Sequence, residues 1–102
     1  MANFIFAYHG GKKPETPEES AQIMAQWNTW LDSLGDAVIN PGTPVGGSKI
    51  VSAGGIAGHG GANPLSGFSI ISATDMDAAL AIAQSCPHVD YGTIEVAEMM
   101  HL

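Results

Sequence analysis

The chain has 102 residues, with three lysines, no arginine, ten carboxylates, one cysteine and a formal charge of −7. That balance disfavours nucleic acid and anionic membrane surfaces, both of which select clusters of Lys and Arg. One cysteine makes no internal disulfide framework, and no apolar run approaches the roughly 20 residues of a membrane span.

The length suits one domain, residues 1–102, whose folded surface should be about 5,400 Å². Met1-Ala2-Asn3-Phe4 lacks the basic and long apolar regions of a signal peptide, so a cytoplasmic globular protein is expected.

Asn3-Phe4-Ile5-Phe6-Ala7-Tyr8-His9 opens the chain, short, aromatic-rich and stopped by Gly10-Gly11; it reads as a strand. Phe4, Phe6 and Tyr8 share one face, and Ile5, Ala7 and His9 the other. Thr16-Pro17-Glu18-Glu19 combines a capping box with proline at the first helical position. Ile23, Trp27, Trp30, Leu31 and Leu34 then recur at helical spacing before Gly35 stops the helix.

Ala37-Val38-Ile39 resumes as a strand, which Asn40-Pro41-Gly42-Thr43-Pro44 is expected to break. Nine of the 13 glycines fall between Gly42 and Gly67, and Lys49 is the only charged side chain between residues 37 and 74. This stretch predicts a glycine-rich hairpin or loop around 42–67, with a short strand at Ser48–Ser52. Phe68–Ala73 is a further strand. Thr74-x-x-Asp77 resembles a capping box, and Met76, Ala79, Leu80 and Ala83 continue at helical spacing until Pro87. Thr93–Met99 alternates as a last strand.

The order β-α-β-(β)-β-α-β indicates an α+β sandwich of the split-βαβ, ferredoxin-like type. Two helices cover one face of such a sheet, yet the first strand is apolar on both. A second copy is the simplest cover, so a homodimer with facing sheets, a dimeric α/β barrel, is expected.

The ordered set Phe4-Ile5-Phe6-Ala7-Tyr8, Thr16-Pro17-Glu18-Glu19, the tryptophan helix to Gly35, Asn63-Pro64-Leu65-Ser66-Gly67-Phe68, Asp75-Met76-Asp77-Ala78-Ala79-Leu80, Cys86-Pro87-His88 and Gly92-Thr93-Ile94-Glu95-Val96 resembles the YCII-related (DGPF-domain) family. The resemblance spans almost the whole chain and implies a ferredoxin-like fold dimerised into an α/β barrel. Some relatives are thought to use a His–Asp pair. Their helix position falls near Met24 here and their aspartate is matched by Cys86, so that pair is not carried over. Gly60-Gly61-Ala62-Asn63-Pro64-Leu65 stands where the Asp-Gly-Pro-Phe stretch would be.

Among the candidates for chemistry, His9 at the strand end is suited to general acid–base work, with Tyr8 as a hydrogen-bonding partner. Met24 and Trp27 could line a cavity between helix and sheet. His59, in Gly54–Gly61, could reach a site if that segment closes as a lid. The same glycines lack the lysine–serine ending of a phosphate loop and the dinucleotide spacing. Cys86 lies at a helix C-terminus, where the dipole disfavours a thiolate. Cys86, His88, His59 and His101 match no zinc spacing, so no metal and no cofactor is expected. Asp90 and Glu95 near the last strand could each supply a carboxylate.

Two functions stay open. One is a dimeric protein that binds a small, apolar or aromatic molecule, as an enzyme of proton-transfer or elimination type. The other is a non-catalytic assembly or regulatory domain.

Overall fold

The computed structural model describes residues 1–11 and 14–101. Strand β1 (Ala2–Gly10) leads to helix α1 (Pro17–Leu34), then β2 (Val38–Pro44), β3 (Ile50–Ser52), β4 (Gly55–Ala57), β5 (Leu65–Ala73), helix α2 (Met76–Gln84) and β6 (Gly92–Glu98). Short 3-10 turns occupy Gly35–Ala37 and Pro87–Asp90. The main sheet has four strands in the order β2-β5-β1-β6, and β3 and β4 pair separately. Every pairing is antiparallel. The result is a mixed α+β fold with two helices on one face of an antiparallel sheet.

Burial on β1 alternates as the period of two requires: Phe4, Phe6 and Tyr8 are buried, Ile5, Ala7 and His9 half-buried. The buried face meets Trp30 of α1, Ala79 and Ala83 of α2, and Ile71 and Ala73 of β5 in one core. α1 starts as its sequence dictates. Thr16 Oγ1 accepts from Glu19 N at 3.1 Å, and Glu19 Oε2 accepts from Glu15 N at 2.9 Å.

α2 differs from expectation in two respects. Its cap is Asp75, whose Oδ1 accepts from Ala78 N at 2.8 Å, rather than Thr74. Its core face is Ala79 and Ala83, while Met76 and Leu80 stay 38% and 44% exposed; the small alanines are what the sheet packs against.

β2 also departs from expectation, because it continues through Asn40–Pro44 instead of breaking there. It is an edge strand, where proline is tolerated, and its register slips twice against β5. Gly42 makes the second irregularity. Its φ is +74°, a Cβ there would overlap the Phe68 carbonyl, and Asn40 Oδ1 accepts its N–H at 2.8 Å.

Ile5 pairs with Ile70 and Ala97, and Ala7 with Phe68 and Glu95. These residues share the face that neither helix covers. The molecule is a slab of 43 × 39 × 18 Å with a radius of gyration of 14.7 Å, against about 13 Å for a compact chain of this length. Its accessible surface is 6746 Å², about 1,300 Å² more than the scaling for monomers gives.

Candidate functional site

The open face carries a hydrogen-bonded group at the end of β1. His9 stands opposite Thr93 in the ladder and Ala7 opposite Glu95, so Glu95 is the diagonal neighbour of His9 on the same face. Its Oε1 lies 3.2 Å from His9 Nε2. On the other side of the ring, Nδ1 is 3.0 Å from the Asn63 carbonyl, and Asn63 Nδ2 donates to Thr93 Oγ1 at 3.2 Å.

A bulge sets this corner. Tyr8 pairs with Gly67 but His9 with Leu65, leaving Ser66 as the extra residue of β5. Ser66 Oγ donates to Tyr8 O at 3.1 Å, and Gly10 N donates to Pro64 O at 3.0 Å.

The arrangement fixes where protons sit. A carbonyl only accepts, so Nδ1 carries a hydrogen toward Asn63. Nε2 and the Glu95 carboxylate then face each other, and a proton taken up by the pair is held between them. The His9 side chain is 22% exposed and that of Glu95 71%, so the pair is open to a ligand from the uncovered face.

Tyr8 lies on the other side of the sheet. It donates to Ser69 Oγ at 2.9 Å, and Ser69 Oγ donates to Pro41 O at 2.8 Å. Burial pushes the phenol far above its ordinary range, with the Ser69 bond acting in the opposite direction, so Tyr8 keeps its proton. Trp27 packs edge-on against it with centroids 4.9 Å apart. His88, buried, tilts against both at 5.4 and 6.3 Å. Its Nε2 donates to the His9 carbonyl at 3.0 Å, which clamps the His9 peptide from behind.

The sequence-predicted set is therefore divided. Tyr8 and Trp27 come together in the core, and His9 faces the opposite way, so Tyr8 is not its hydrogen-bonding partner: successive strand side chains point to opposite faces. Met24 is 62% exposed, and His59 is exposed with its Nδ1 accepting from Gly61 N at 2.9 Å. A groove of about 520 Å³ opens beside α1, lined by Ala25, Thr29, Trp30, Ser85 and Pro87, apart from His9. Among the described residues no three His, Cys, Asp or Glu side chains gather as metal ligands.

Asn63, Thr93 and His88 emerge at the corner from structure. Period-two alternation already put Thr93 and Glu95 on one face, but the register that sets that face beside His9 is a long-range property.

Cys86 is buried, and burial pushes its thiol up from 9.0 to about 11, partly offset by a hydrogen bond from the His88 backbone. At pH 8 its thiolate fraction is about a hundredfold below that of an ordinary thiol. Alkylation by iodoacetamide, followed by mass spectrometry, should be at least about a hundredfold slower in the native protein than in urea. The unfolded chain releases this proton first, so the thiol's contribution to stability is complete below pH 9 and lost as pH rises toward 11. Urea titrations should show that loss, and Cys86→Ala should remove it.

The family model of the YCII-related domain matches residues 4–102, and the chain belongs to that family. No match to a curated protein emerges from the sequence comparison. Among solved structures, the chain is similar to 5-chloro-2-hydroxyhydroquinone dehydrochlorinase (TftG) from Burkholderia phenoliruptrix AC1100, determined in complex with 2,5-dihydroxybenzoquinone. The TM-score is 0.58 at 15% identity, covering 96% of this chain and 94% of that one. At that identity the likeness is one of fold. No helix among the described residues is long and apolar enough to cross a membrane.

Proposed function

We propose that this single-domain cytoplasmic protein is a homodimer of two ferredoxin-like halves with facing sheets, an α/β barrel. It binds a small cyclic molecule between them and moves a proton on it, in a proton-transfer or elimination reaction. The observation that carries this is the His9–Glu95 pair on the uncovered sheet face, beside Ile5, Ala7, Phe68 and Ile70. A lone carboxylate would resist burial there, whereas one held 3.2 Å from a His9 ring nitrogen has a hydrogen-bonding partner to keep when the face is covered. The surface excess of about 1,300 Å² over a monomer of this mass fits a face awaiting cover.

With Nδ1 held by Asn63, the dyad gives or takes one proton between Nε2 and Oε1. In an elimination the dyad starts as neutral imidazole beside carboxylate; Nε2 takes the proton the substrate loses, the electron pair left behind forms the new π bond, and the leaving group departs with its own pair. The similar dehydrochlorinase and its bound dihydroxybenzoquinone support a hydroxylated ring as the ligand class. Trp27, Met24 and His59 have no place against His9 within one copy and are left out of the dyad's chemistry.

The test is a thermal-shift screen with hydroxylated and chlorinated hydroquinones and quinones. A ligand at ten times its Kd adds about 1.4 kcal/mol, a rise of about 6–11 °C for a domain of this size. The rise should disappear in His9→Ala and Glu95→Gln while sedimentation stays dimeric. A wild-type protein that no ring compound stabilises, a rise that survives His9→Ala, or a micromolar monomer overturns the proposal.

A further inference from the structure

We infer that the β3–β4 hairpin is an arm that seats on the second copy, anchored at its base beside the His9–Glu95 site, an inference that rests on the dimeric reading above. The hairpin pairs with no strand of the main sheet, and an isolated two-stranded hairpin is marginal in water. It nevertheless presents Ile50, Val51 and Ile56 at 50, 74 and 72% exposure. Three large apolar side chains on a solvated hairpin are what an interface contains and what an open surface avoids.

Area supports the same occupant. Four strands about 4.8 Å apart, with about seven residues at about 3.3 Å each, make a face of roughly 440 Å². A stable complex buries about 800 Å² per partner. Val51 and Ile56, opposite each other on one face of the hairpin, can each bring roughly 60–120 Å², which closes about a third to two thirds of the gap.

Charge selects a second copy too. All ten carboxylates lie outside residues 37–74, a stretch whose single charge is Lys49. Two copies of charge −7 repel, and the arm can approach an acidic twin without like-charge contact.

The arm is mechanically joined to the site. Its legs meet at the base, where a Cβ on Gly60 would overlap Ser48 Oγ and stand 2.9 Å from Pro64 Cβ. Pro64 O accepts from Gly10 N, and the Asn63 carbonyl accepts from His9 Nδ1, both at 3.0 Å. The arm is therefore anchored to the corner that holds His9.

Sedimentation equilibrium over a dilution series compares the full-length wild type with Val51→Asp/Ile56→Asp. The wild type is expected to dimerise and the variant to associate at least about a hundredfold more weakly, with unchanged far-UV circular dichroism because both side chains stand outside the core. In the wild type, amide exchange at residues 50–57 should slow above the dimer's dissociation concentration and quicken below it. A monomeric wild type removes the dimer and the arm together. A dimeric wild type whose variant associates as tightly, or whose arm amides exchange at one rate throughout the dilution, overturns the arm alone. If the variant does not fold, the wild-type exchange measurement decides.

Discussion

Gly92→Ala is expected to destabilise the protein by about 2–3 kcal/mol, at the upper end of overpacking, and to separate His9 from Glu95. A Cβ at this position would overlap the His9 carbonyl and stand 2.7 Å from His88 Nε2 and 2.9 Å from Gly11 N. Neither backbone neighbour can move without opening the β1–β6 ladder at its Gly10↔Gly92 pair. The third is a buried ring fixed by its bond to His9 O. The strain therefore passes into the peptide that carries the His9 side chain. Urea unfolding gives the stability change. Loss of the His9–Glu95 contact would appear as changed His9 ring chemical shifts by NMR. Gly46→Ala is the control: nothing lies within 4 Å of its added carbon, and surface changes of that kind fall within about 0.5 kcal/mol. If both substitutions leave stability alike, the close packing behind His9 is refuted.

That corner shows where the sequence was informative and where it stopped. β1 was legible because alternation and aromatic content are local, and α1 because its cap and apolar stripe are contained in the segment itself. The extension of β2 through Pro41 and Pro44 was not legible. Whether a proline interrupts a strand depends on whether that strand lies at a sheet edge, and strand order is decided by residues far along the chain. The same holds for chemistry. His9 could be singled out by residue type and strand position, and Glu95 named as a carboxylate near the last strand. Their pairing depends on the register of β6 against β1 and on a bulge at Ser66. Tyr8 shows the converse: its place on the face opposite His9 was legible from strand alternation, but its hydrogen-bonding partner, Ser69, is set by the register of β5.

Phe6→Ala is expected to cost about 3–5 kcal/mol, a large share of the 5–15 kcal/mol that holds a domain together. Phe6 is fully buried on a central strand, between Ser69 on β5 and Val96 on β6. The cost of such a cavity depends on how far its walls can collapse. Here one wall is pinned, because Ser69 accepts from Tyr8 Oη at 2.9 Å and donates to Pro41 O at 2.8 Å. Collapse would break a buried hydrogen-bonded chain, so the upper half of the range is expected, read as a lower urea midpoint with an unchanged slope. Ile5→Ala, one residue earlier, separates the two faces of the sheet. Its side chain is half-buried on the uncovered side, away from the helix-packed core. In the proposed dimer its loss should leave the dilute monomer within about 1 kcal/mol of wild type and weaken association instead. Equal losses in the dilute monomer from both substitutions would mean that Ile5 belongs to the chain's own core, and the case for a second copy on that face would fall with it.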